Sequence, residues 1–330
     1  MLFIQAKFPS TFPLLKSLYV DCSGAHGNDG SPIEKLLHGL PNLRVLDINA
    51  PDCDLESCRI QGLTWAYKFP QLTHFAISIF YRSAQDMASF LANHPNIRTL
   101  TFNVQGDEPI PNVTSLLPDL EALSMDEWGQ DNRPGYTELL NANPPRKITY
   151  FKTGEFPDDE YHLIPQYAPS LRCLELSLSI EDIRSNEYRT TKALLALLPD
   201  LSELAFQFSS GRTTMFKADG TSQNPLPMDE EILSKIIKVL PTSGNLQVLR
   251  MKDHDDGRGS PLAVQSSSFA SLRKNLPSSL KTLQWEIENS TVRYELEPEG
   301  SVRIVDPLEH RQWPDSLLWT DASILKHLRS

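Results

Sequence analysis

Asp253, His254, Asp255 and Asp256 stand side by side in the run Asp-His-Asp-Asp-Gly-Arg-Gly. Carboxylates beside an imidazole are ligands that oxygen-preferring divalent cations accept. A metal-dependent hydrolase built on this loop is the catalytic reading of the sequence, and a solvated turn-rich loop is the plainer one. The run Pro157-Asp158-Asp159-Glu160-Tyr161-His162 is similar in type, but acids of this kind suit the start of a helix, where the macrodipole favours negative charge. No Gly-x-Ser-x-Gly elbow, Gly-rich phosphate loop, His-Glu-x-x-His pair or zinc-spaced cysteine set occurs. Cys22, Cys53, Cys58 and Cys173 show no Cys-x-x-Cys spacing and read as reduced thiols of a cytoplasmic or nuclear protein. The expectation is therefore no enzyme, no cofactor and no metal centre.

The more informative residues are those that a repeating element sets in a row. Leu-Pro-Asn-Leu-Arg-Val-Leu-Asp-Ile, residues 40–48, contains the pattern Pro-x-Leu-x-x-Leu-x-apolar, which recurs along most of the chain. Its first anchors are Leu15, Leu43, Leu72, Ile97, Leu120, Ile148, Leu171 and Leu201, which lie 23 to 30 residues apart. Two further copies carry Leu246, Leu249 and Met251, and Leu280, Leu283 and Trp285. The copy after Pro145 has one extra residue before Ile148 and is the least regular. In each copy the alternation seen in Leu46-Asp47-Ile48 marks a short strand with one buried face. The proline has no N–H for a ladder and reads as the end of whatever precedes the strand.

Between copies, apolar residues at three- and four-residue offsets predict helices over 33–37, 84–92, 136–140, 190–198, 230–240 and 268–276. Residues 55–69 and 106–117 lack this signal, which predicts turns or a single helical turn. Short crossovers between strands force parallel neighbours. One copy buries too few side chains, at roughly 1.5–3 kcal/mol each, to offset its own ordering entropy, so the copies must stack.

Stacking lines up the residues that alternate with the anchors. Tyr19, Asp47, Ala76, Thr101, Ser124, Lys152, Glu175, Ala205, Arg250 and Gln284 are predicted to form one exposed row on the concave face. Aromatic and arginine side chains are common interface hot spots, which singles out Tyr19 and Arg250, with Lys252 one exposed step further on. Asp47, Thr101, Lys152 and Glu175 complete the predicted protein-binding set.

These units resemble leucine-rich repeats, whose period is about 20–29 residues. Their Leu-Pro-x-Leu-x-x-Leu-x-apolar form and irregular spacing resemble the repeat region of fungal F-box/leucine-rich-repeat proteins, over residues 13–285. The resemblance implies an α/β leucine-rich-repeat solenoid, a horseshoe with a parallel sheet on its concave face and helices or turns on its convex face. It also implies protein-protein interaction, in the narrower form the substrate-recognition region of an F-box-like ubiquitin-ligase receptor. The F-box itself is not in this sequence, so binding of the ligase adaptor is not expected. A degenerate array without a specific target is the remaining alternative.

The predicted organisation is a single domain over 1–330, with repeats at about 13–286 and a C-terminal cap at 287–330. Residues 292–296 and 302–305 read as a hairpin or an extended terminal pair and 316–328 as a final helix, a change of pattern suited to closing the last core layer. Turn-rich excursions at 209–228 and 253–268 interrupt the array. The net charge of −11 argues against nucleic acid and anionic membranes as partners. The longest strongly apolar run, 193–198, is far short of the ~20 residues that span a bilayer, and the opening residues do not read as a signal peptide. The expected partner is a protein whose identity the sequence does not specify.

Overall fold

The computed structural model describes residues 14–21, 37, 40–49, 67–80, 84–105, 110–125, 145–153, 164–167, 169–179, 189–209, 230–240, 244–253, 274–287, 290–296 and 302–305. The chain divides into two compact units, Met1–Thr149 with Tyr167–Pro169 and Ser323–Ser330, and Tyr150–Gln166 with Ser170–Ala322.

The first unit contains β1 (Ser17–Asp21), β2 (Val45–Asn49), β3 (His74–Phe80), β4 (Thr99–Gln105) and β5 (Ala122–Met125). Each pairs in parallel with the next in chain order. The second contains β6 (Tyr150–Thr153), β7 (Cys173–Ser179), β8 (Glu203–Ser209), β9 (Val248–Asp253) and β10 (Thr282–Ile287), again parallel and in order. Ten parallel strands, one per predicted copy, make this the α/β leucine-rich-repeat fold that the spacing anticipated. The array ends by changing direction: β11 (Ser290–Leu296) runs antiparallel to β10, and β12 (Val302–Val305) antiparallel to β11. The hairpin predicted at 292–305 is therefore present. The antiparallel pairing of β10 with β11 was not anticipated, because the sequence between the two strands contains no glycine to signal a hairpin.

Residues on either side of each position of the predicted row carry the core. Leu46, Phe75, Leu100, Leu123, Phe151, Leu174, Leu204, Leu249 and Leu283 are at most 1% exposed, and Ile48, Ile77, Phe102, Leu176, Phe206 and Met251 continue the second row. Thr153 is buried in line with Leu176, so the irregular copy keeps its register despite the extra residue.

The proline does more than stop a helix. Leu43 N–H donates to the Leu40 carbonyl (3.3 Å), Leu72 to Phe69 (3.0 Å), Ile97 to His94 (3.2 Å), Leu120 to Leu117 (3.2 Å) and Leu201 to Leu198 (3.2 Å). Each bond closes a four-residue turn whose second residue is Pro41, Pro70, Pro95, Pro118 or Pro199. Proline presets the backbone angle that this position requires and has no N–H to leave unpaired. The residue after the turn begins a second ladder: Arg44 and Val45 donate to the Lys16 carbonyl, Thr73 and His74 to that of Arg44, and Arg98 and Thr99 to that of Thr73. Successive copies are thus held in register before their strands begin.

Four helices are described: α1 (Ala84–Asn93), α2 (Ile164–Tyr167), α3 (Arg189–Ala196) and α4 (Glu230–Val239). Three of them fall where the periodicity placed helices. α1 buries Met87, Phe90 and Leu91 while Gln85, Asp86 and Ser89 face solvent, and the Phe90 ring sits 4.7 Å from that of Phe75. The weak stretch before Leu117 forms one 3-10 turn, Val113–Ser115, as expected. Within the predicted helix at 268–276, residues 274 and 275 form a turn. The predicted helices at 136–140 and 316–328, and all of 33–37 except Leu37, lie outside the described residues.

Candidate binding surface

The register places the predicted row as the alternation required. Tyr19, Asp47, Ala76, Thr101 and Ser124 lie side by side across β1 to β5. Lys152, Glu175, Ala205, Arg250 and Gln284 do the same across β6 to β10.

Exposure does not follow alternation alone. Tyr19 is 52% exposed, and Asp47, Ala76, Thr101 and Lys152 are half-buried. Ser124, Glu175, Ala205, Arg250 and Gln284 are buried, so the expectation of a fully exposed row is corrected at these five positions. Strands about 4.8 Å apart bring long neighbouring side chains over short ones. Ala205 lies between Glu175 and Arg250, and Gln284 beside Arg250. Tyr19, on a strand with one strand neighbour among the described residues, keeps its exposure. Lys252 occupies the next row, in line with Gln207 and Glu286.

In the second unit the row is tied together by charge. Lys152 Nζ lies 3.6 Å from Glu175 Oε1, with only 15% and 10% of the two side chains exposed. Tyr150 Oη donates to Glu175 Oε2 at 3.4 Å from the preceding row. Both carboxylate oxygens are engaged and the lysine compensates the charge, which makes this a structural ion pair. Removing one partner of such a pair leaves an uncompensated charge, at a cost of about 3–5 kcal/mol where burial is complete. Cys173, in register between Tyr150 and Glu203, is fully buried. Burial, followed by the Glu203 charge, pushes its thiol well above the ordinary range, so it is not a poised nucleophile.

Two buried ionisable residues that the sequence reading passed over hold the repeats together. His94 is 2% exposed, and its imidazole spans two copies. Nε2 accepts the Phe69 N–H at 2.9 Å, which leaves Nδ1 as the donor to the Phe90 carbonyl at 2.7 Å. Its ring lies 4.1 Å from Phe90 and 5.7 Å from Phe69. Burial lowers its pKa, with the positive charge of Lys68 acting in the same direction against the opposing bond to Phe90. The sequence signal was present: His94 precedes Pro95 in the place that Leu40, Phe69, Leu117 and Leu198 hold before their prolines.

Arg146 is 3% exposed. Its Nε donates to the Leu117 carbonyl at 3.1 Å and its Nη2 to the carbonyls of Thr114 (3.2 Å) and Leu116. Burial lowers its pKa to about 10, so it remains charged at neutral pH and gathers the carbonyls at the end of the 3-10 turn. Here the signal was the extra residue after Pro145.

No cluster of His, Cys, Asp and Glu able to hold a metal exists among the described residues. Of the acidic-histidine run only Asp253, the last residue of β9, is described; His254, Asp255, Asp256 and the run at 157–162 lie outside. No described helix is long and apolar enough to cross a membrane.

No protein family matches the chain, and no curated protein does. Among solved structures the chain is similar to the leucine-rich repeat-containing protein LegL7 from Legionella pneumophila. Identity is 13%, the match covers 89% of each chain, and the TM-score is 0.42. The fold assignment rests on the strand register and the repeated turn, which are properties of this chain itself.

Proposed function

We propose that this chain is a non-enzymatic protein-interaction module that meets its partner with the open face of its sheets. The observation that carries the reading is the in-register row in the first unit. There Tyr19, Asp47 and Thr101 stand with partial or full exposure on a rigid ladder of backbone hydrogen bonds. Side chains fixed on a rigid scaffold lose little entropy on binding, and an exposed aromatic beside polar groups is a frequent anchor of an interface.

The narrower reading, substrate recognition in a fungal F-box-like ubiquitin-ligase receptor, rests on the resemblance of the repeat sequence. In that role the partner is a protein substrate met inside the cell. Lys152 and Lys252 are the polar groups that the second unit contributes to the same reading, with buried Glu175 and Arg250 as structural members of the row, and binding of the ligase adaptor to these repeats is not expected.

Affinity purification with quantitative mass spectrometry tests the proposal. A partner recovered reproducibly by the native chain should be lost with the Asp47→Lys, Thr101→Arg double variant while circular dichroism shows the fold retained. Retention of every reproducible partner by that variant contradicts binding through this face. Direct stoichiometric recovery of the ligase adaptor contradicts the expectation that these repeats do not engage it.

A further inference from the structure

We infer that β1 is a self-pairing edge, so that two copies of this chain join antiparallel about a two-fold axis at Tyr19. Among the described residues β1 has one strand neighbour, β2. The Lys16 carbonyl accepts from Arg44 N–H (2.7 Å) and Val45 N–H (3.0 Å), so the backbone groups of Lys16 point towards β2. Within a strand the N–H and C=O of one residue point to the same side, and successive residues alternate. Leu18 and Val20 therefore also bond β2, while Ser17, Tyr19 and Asp21 present their N–H and C=O groups to the outer edge.

That alternation selects the register. A two-fold pair centred on Leu18 needs groups already bonded to β2. A pair centred on Tyr19 uses only the outward groups and spans the whole strand, with Ser17 opposite Asp21, Leu18 opposite Val20, and Tyr19 opposite its own copy. Ser17, Tyr19 and Asp21 then occupy hydrogen-bonded positions, each exchanging both backbone bonds, and Leu18 and Val20 occupy the closer non-hydrogen-bonded positions.

The side chains agree with the same axis. Leu18 and Val20 are each 8% exposed, against 0–2% for Leu46, Ile48, Phe75 and Ile77 in the neighbouring strands. Setting Leu18 beside Val20 of a second copy extends both cores. On the opposite face the two Tyr19 rings, each 52% exposed before pairing, meet as a cross-strand aromatic pair. Read in either direction, Ser17 to Asp21 runs polar, apolar, aromatic, apolar, polar. This makes a second copy a better match than an arbitrary peptide, since the interface is isologous.

Edge strands are usually blunted by proline, charge or shortness. β12 is four residues long and carries Arg303, whereas β1 has no proline and no charge before its final Asp21.

Sedimentation velocity on the full chain tests the inference across protein concentration and at low and high salt. The native chain is expected to form a dimer whose share rises with salt, because a net charge of −11 opposes association until it is screened. Tyr19→Pro removes the outward N–H at the axis and leaves the β2 bonds of Leu18 and Val20 intact. Tyr19→Lys sets two like charges together at the same point. Both variants should be monomeric at concentrations where the native chain is dimeric, with unchanged circular dichroism.

If Tyr19→Pro fails to fold, Tyr19→Lys decides the matter. In Tyr19→Cys, mild oxidation should give a covalent dimer linked at position 19, since hydrogen-bonded pairs hold their Cα atoms about 5.5 Å apart, within disulfide range. A native chain that stays monomeric, whether or not its edge takes up an extended peptide, overturns the inference. So does a dimer that survives Tyr19→Lys.

Discussion

His94 shows how one polar residue is accommodated in a position otherwise filled by apolar ones. In the native state its ring is neutral, because Nε2 must accept the Phe69 N–H and burial opposes a charge. Lowering the pH through the ordinary imidazole value of 6.5 protonates the unfolded chain first. The unfolded state then binds more protons than the native state, so stability from this residue is fully present above that value and is lost as the pH falls through the lower native one. His94→Leu restores the residue type of the sister turns and should flatten this part of the acid dependence, as measured by thermal unfolding across the pH range. At neutral pH it should still destabilise, by about 1–3 kcal/mol, because the buried Phe69 N–H loses its acceptor. Equal pH slopes for the native chain and His94→Leu contradict this account.

At the scale of the element, the turn before each strand and the clamp beneath it explain why an irregular copy keeps its place. Leu117 has φ 51° and Asn112 φ 57°. Asparagine tolerates this left-handed conformation, while for leucine it costs roughly 1–2 kcal/mol. Leu117 is retained because its side chain is 1% exposed and its carbonyl is taken by both Arg146 and the turn to Leu120. Arg146→Ala should lower stability by about 1.5–3 kcal/mol, the worth of hydrogen bonds to a charged group, as read by denaturant unfolding. Arg146→Lys should recover only part, since an ammonium cannot span three carbonyls with the fork of a guanidinium. The strands, the three longer helices and the final hairpin were legible because each rests on local alternation or helical spacing. The burial of Glu175, Arg250 and Gln284 was not legible, because it depends on which side chains lie on the neighbouring parallel strands, 23 to 45 residues away. The role of Arg146 was hidden for the same reason: its acceptors are backbone groups 29 to 32 residues earlier.

For the molecule as a whole, the arrays in the two units finish differently, and a gradient of stability follows. A repeat is stabilised chiefly by its immediate neighbours, so a strand with one neighbour has roughly half the interface of a strand with two. In the first unit β1 has one strand neighbour among the described residues, and its anchors Leu18 and Val20 are each 8% exposed, against 0–2% for Leu46, Ile48, Phe75 and Ile77 in the next two strands. In the second, β10 is covered by β9 on one side and by the antiparallel β11 on the other, with Leu296 N–H donating back to the Lys281 carbonyl (2.8 Å) before β10 begins. Hydrogen exchange should therefore run faster in β1 than in β3 or β10, by at least about tenfold at the amides bonded within the sheet. The measurement belongs at low protein concentration, where a self-paired β1 is dissociated. Raising the concentration should then slow exchange at Tyr19 and Asp21, whose N–H groups face outward, more than at Leu18 and Val20, which are already bonded to β2. Uniform slowing across β1 would mean that its protection comes from general stabilisation of the unit and not from a strand added at its edge.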